Sequence, residues 1–81
     1  MRRKPIRGTG RVKFFRDDKG WGGIESPDVP ADIWVHYSTI DGSGHRGLSE
    51  GQVVEFTCHA AVQDSWSYVA DWVRPIPPEP A

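Results

Sequence analysis

Glycine and proline punctuate this chain so closely that no stretch is left for a long helix. Nine Gly and seven Pro fall within 81 residues, and the intervals between them lack the 3.6-residue apolar spacing that an amphipathic helix needs. Short runs rich in β-branched and aromatic residues fill those intervals instead, and these suit pleated strands. The first is about Gly10–Arg16, closed by the turn Asp17-Asp18-Lys19-Gly20. The second, Trp21–Ser26, ends in a loop bracketed by Pro27 and Pro30, because proline has no N–H for a central ladder. The third, Asp32–His36, alternates: Ile33 and Val35 on one face, Trp34 and His36 on the other. Tyr37-Ser38-Thr39-Ile40 reads as one turn of 3₁₀ helix, followed by the Gly-rich loop Asp41–Gly47. The fourth run, Gln52–Ala60, sets Val54, Phe56 and Cys58 against Val53, Glu55, Thr57 and His59. In the fifth, about Trp66–Arg74, alternation groups Trp66, Tyr68, Ala70 and Trp72 opposite Ser67, Val69, Asp71 and Val73.

Five short strands in one small domain predict an all-β fold, a small five-stranded antiparallel barrel, since closure hides the edges on which small sheets aggregate. Residues 1–7 read as a basic flexible N-terminal extension, residues 8–75 as the barrel and residues 76–81 as a Pro-rich tail that cannot hydrogen-bond as a ladder. The single cysteine excludes an internal disulfide and suits a reducing compartment. No apolar run approaches the roughly 20 residues of a membrane span. The basic start lacks the apolar stretch of a secretory signal. A soluble, cytoplasmic protein with no membrane partner is the expectation.

Charge is unevenly spread. Residues 1–16 hold seven basic side chains and no acidic one, whereas residues 17–81 hold three basic and eleven acidic ones. One end can therefore attract phosphates although the whole chain carries −1, the alternative being a basic tail that only aids solubility. If Ile24, Ile33 and Val35 fill the core, Trp21, Trp34 and His36 face out. Exposed tryptophans flanked by glycines call for a partner, and flat rings on a sheet are what base stacking requires.

Lys19-Gly20-Trp21-Gly22-Gly23-Ile24 resembles the first RNA-binding motif of cold-shock domains, usually Lys-Gly-Phe-Gly-Phe-Ile. Ile33-Trp34-Val35-His36-Tyr37 resembles their second, usually Val-Phe-Val-His-Phe. Gly10-Arg-Val-Lys-Phe-Phe15 upstream and Leu48-Ser-Glu-Gly-Gln52 downstream are similar to the family's flanks, so the likeness runs from about Gly8 to Val73. It implies an oligonucleotide/oligosaccharide-binding-like barrel that takes single-stranded RNA or DNA on its first three strands. Carried over, the stacking residues are Phe14, Phe15, Trp21, Trp34, His36 and Tyr37, the phosphate contacts Lys13 and Lys19, and His45 holds a loop place where the family often has another aromatic. Putting Phe14 outward requires a bulge, because simple alternation places it with core Val12.

The chain departs from the family at Gly23, which stands where the first motif has its second aromatic. A ring introduced there is expected to add a stacking contact without entering the core. Asp17 and Asp18 should repel phosphate. Trp66 and Trp72 lie outside the pattern and read as structural, with a platform rebuilt around Trp66 as the alternative. No catalytic set is visible: Asp32, His36 and Ser38 crowd one strand and its exit, with no oxyanion-forming motif. No Cys or carboxylate stands at metal-ligand spacing from His36, and the 42–47 glycines precede no helix that a phosphate could cap. The expectation is thus a non-enzyme without metal or cofactor, a monomer or weak dimer. It binds single strands with low sequence specificity, as an RNA chaperone or a regulator of transcription or translation. The alternative is a protein-interaction barrel with reduced nucleic-acid affinity.

Overall fold

The structure, a computed structural model, describes residues 4–41 and 47–77. Its strands are β1 (Ile6–Arg16), β2 (Trp21–Glu25), β3 (Ile33–His36), β4 (Val53–Gln63) and β5 (Trp66–Pro75), with a 3₁₀ turn at Tyr37–Thr39. They close into a barrel in the order β1-β2-β3-β5-β4. Every pairing is antiparallel except β3 with β5, which run parallel through Ile33↔Tyr68 and Trp34↔Val69.

Alternation selects the core. Ile24, Ile33, Val35, Val54, Phe56, Cys58 and Val73 have no exposed surface, and Val12 is close behind. Cys58 behaves as a small apolar side chain here, and burial, helped by the Asp71 charge, pushes its thiol up to about 11. The chain enters its turns on residues that tolerate positive φ: Gly20 at +78° closes the β1–β2 turn, and Asp64 at +53° opens the two-residue β4–β5 turn with Ser65.

Several boundaries and facings differ from the sequence reading, among them β4, which runs to Gln63 rather than Ala60. β1 starts at Ile6, two residues upstream of the expected edge of the barrel, because Ile6 and Arg7 pair with Cys58 and Thr57 and Ile6 packs on the core. Arg7 joins Arg74 around the Glu55 carboxylate at 3.5 and 2.8 Å, and Arg74 foremost holds that carboxyl below its ordinary value. At the other end of the barrel, the backbone N–H of Ile76 donates to Val53 O. In β5 the register against β4 shifts, with Trp72 opposite Thr57 but Ala70 opposite Cys58. That bulge at Asp71 breaks the simple alternation, so Ala70 and Val73 are both buried.

Candidate nucleic-acid interface

The outer face of β1, β2 and β3 is organised by one irregularity. Val12 pairs with Ile24 but Phe14 pairs with Gly23, which leaves Lys13 as the extra residue of a bulge. Past it the parity of β1 reverses: Phe14 turns outward and Phe15 turns to the core side, where it packs against the buried cluster. Residues directly opposite in a sheet share a face. Two outward rows result, Phe14–Gly23–Trp34 and Arg16–Trp21–His36.

These rows carry two ring groups. Phe14 and Trp21 meet edge-on at 5.6 Å, with the Arg16 guanidinium 5.6 Å from the Phe14 centroid. Trp34 and His36 lie nearly parallel, 5.7 Å apart and inclined by 23°, and the Tyr37 ring is 4.5 Å from His36. The His36 ring is held in place by Ser38, whose backbone N–H donates to Nδ1 and whose Oγ is 2.7 Å from it. Tyr37 is 46% exposed and its ring packs beside Gly20, where a Cβ would come within 2.8 Å of Cδ1. Its backbone N–H donates to Gly20 O, tying β3's exit to the β1–β2 turn.

Of the expected stacking residues, Phe14, Trp21, Trp34, His36 and Tyr37 thus share one surface, while Phe15 lies against the core. Lys19 is exposed in the turn beside them. His45 falls outside the described residues. Lys13 is not presented openly: its Nζ is 2.8 Å from Asp32 Oδ2, and that hydrogen bond and charge hold the ammonium above its ordinary value. A phosphate reaching Lys13 must compete with a resident carboxylate. Asp32→Asn should therefore tighten binding of a short oligothymidine about 2- to 5-fold at low salt, the scale of one exposed ion pair. Equal dissociation constants for the two proteins would show that the strand does not approach Lys13.

Two aromatic placements were not readable from alternation. Trp66 joins the first ring group, 6.2 Å from Phe14 and 6.3 Å from Trp21, and it fills the space over Gly23 that the sequence left for an added ring. Trp72 stands apart, its indole N–H donating to Asp41 Oδ2 at 3.4 Å. The β5 ladder with β3 is recorded from Tyr68 onward, so Trp66 lies beyond it and strand parity does not fix what its ring meets. Among the described residues no group of His, Cys, Asp or Glu is arranged to hold a metal ion, and no helix is long and apolar enough to cross a membrane.

The family model of the 'Cold-shock' DNA-binding domain matches residues 8–65. The chain belongs to the cold-shock domain family. This is a family of nucleic-acid-binding domains, not of enzymes. Over 47 residues the domain is 53% identical to a probable cold shock protein A of Mycolicibacterium smegmatis, covering 58% of this chain and 70% of that one. It is 49% identical over the same length to the cold shock-like protein CspC of Escherichia coli K12, covering 58% and 68%. A Drosophila Unr structure containing cold-shock domains 4 to 6 superposes with a TM-score of 0.65 at 22% identity. That match covers 93% of this chain but spans only 29% of the longer Unr chain, and it speaks for the fold. The bulge at Lys13 is therefore a feature of a cold-shock barrel whose outward rings are drawn from β1, β2, β3 and, through Trp66, β5.

Proposed function

We propose that this cold-shock domain binds single-stranded RNA or DNA with low sequence specificity, stacking bases on Phe14, Trp21, Trp34, His36 and Tyr37. Arg16 and Lys19, with Lys13 once displaced from Asp32, meet the phosphates. Phe15 supports the surface from the core side. The activity is that of a cytoplasmic RNA chaperone or a regulator of transcription or translation, which masks single strands without chemical change. One observation carries this reading: four rings and a guanidinium lie in two adjoining rows on one sheet face, with the Tyr37 ring against His36 beside them. A base offers its π face whatever its identity, so such a surface holds single strands with little regard to sequence.

Stacking leads and charge follows, because the chain as a whole carries −1. Titration with oligothymidine or oligouridine should quench tryptophan fluorescence saturably. Added salt should weaken binding with a log–log slope of magnitude about 1–3, at roughly 0.7 per phosphate neutralised on a single strand. Absence of saturable quenching with either oligomer would refute the reading, and a slope steeper than about 5 would make it an electrostatic interface instead.

A further inference from the structure

Gly23 stands between Phe14 and Trp34 in an outward row, yet it is buried. What covers it comes from elsewhere in the chain. A Cβ on Gly23 would sit 2.8 Å from Cη2 and 3.2 Å from Cζ3 of Trp66, and 3.0 Å from Cε1 of Phe14. The benzo edge of the Trp66 indole is thus directed at the glycine, while part of the ring stays exposed. Trp66 reaches this place from the start of β5. It pairs with Gln63 across the two-residue Asp64-Ser65 turn, in a hairpin where β4 makes a further register shift between Ala60 and Gln63.

We propose that Trp66 is a base-contacting residue of this interface, and that Gly23 is a glycine because the ring for that place is delivered by the β4–β5 hairpin. The inference rests on the single-strand reading above. Three observations favour it. The indole is continuous with the rings of Phe14 and Trp21, nearly perpendicular to the latter at 84°. It shares its surface with the Arg16 guanidinium that caps Phe14. It is also only half-buried, whereas the core is filled without it. Gly23 and Trp66 are then an exchangeable pair, with room for one ring and two strands able to supply it.

The test separates a ring that contacts bases from one that merely packs. Binding of a fluorescein-labelled oligothymidine is measured by anisotropy for the wild type, Trp66→Leu, Trp66→Ser, Gly23→Phe and Gly23→Phe/Trp66→Ser, and each is melted without nucleic acid. Trp66→Leu keeps apolar cover over Gly23 but has no π face. It should melt within a few degrees of the wild type and bind about 5- to 150-fold more weakly, the loss of one stacked base. Gly23→Phe alone should melt lower, because two rings contend for one place. The double variant should regain binding to within about threefold of the wild type, one ring having replaced another. Trp66→Leu binding as tightly as the wild type would overturn this inference and leave the single-strand reading standing. No recovery in a folded double variant would overturn the exchange. A wild type without saturable binding would overturn the single-strand reading and this inference together.

Discussion

Trp34→Ala should weaken binding of a short pyrimidine strand by about 5- to 150-fold, the worth of one stacked base, and leave the barrel folded. Ile33 and Val35 on either side of it are buried and carry β3's share of the core. Trp34 itself is half-buried on the outer face, where its ring lies nearly parallel to that of His36 at 5.7 Å. His36 loses that neighbour in the variant but keeps its hydrogen bond from Ser38. Circular dichroism and anisotropy on the same sample decide the matter. An alanine variant unfolded at room temperature would make Trp34 a structural residue, and a folded one with undiminished affinity would take it off the interface.

Gly22→Ala should do the opposite, damaging the fold more than any surface change would. Gly22 faces the core between Phe15 and Val35, and a methyl there would run into the carbonyl oxygen of Phe14 and lie 2.8 Å from Phe15 Cα. These are backbone atoms, fixed by the β1–β2 ladder, and cannot turn aside as a side chain can. Forced overpacking costs about 1–3 kcal/mol, sometimes more. A domain of this length loses roughly 4–8 °C of melting temperature per kcal/mol. A fall of about 4–24 °C is the expected result of a thermal melt. Gly51→Ala is the control: its Cβ would meet nothing within 4 Å and carries only the strain of φ +85°, about 1–2 kcal/mol. A Gly22→Ala variant melting within about 4 °C of the wild type would mean that the β1–β2 ladder yields at Gly22.

Strands and core were legible because a half-buried sheet writes its inside and outside into alternate residues, and Ile33-Trp34-Val35-His36 states both at once. The motif around Trp21 and the one around Trp34 could be joined into one surface because their strands are neighbours. What alternation cannot express is a change of its own phase. The bulges at Lys13 and Asp71 each insert one residue, and they decide that Phe15 rather than Phe14 meets the core and that Val73 joins Ala70 inside. Lys13 was legible as a cation but not as the partner of Asp32, which lies 19 positions away on the chain. Trp66 was legible only as an alternative centre of the platform, for a similar reason. The glycine it covers was visible as a departure from pattern, yet the compensating ring lies on a strand that does not pair with β2.

The bulge at Lys13 also bears on how such a chain can change over generations. Losing Lys13 would remove the extra residue and leave Val12 opposite Ile24 and Phe14 opposite Gly23, so Phe14 would still face outward, now in a regular ladder. A single-codon deletion there takes away a cation and keeps the facings, whereas pairing without the bulge at the present length would bring Phe14 in and turn Phe15 out. In this strand, one residue of length is spare to the pattern of facings.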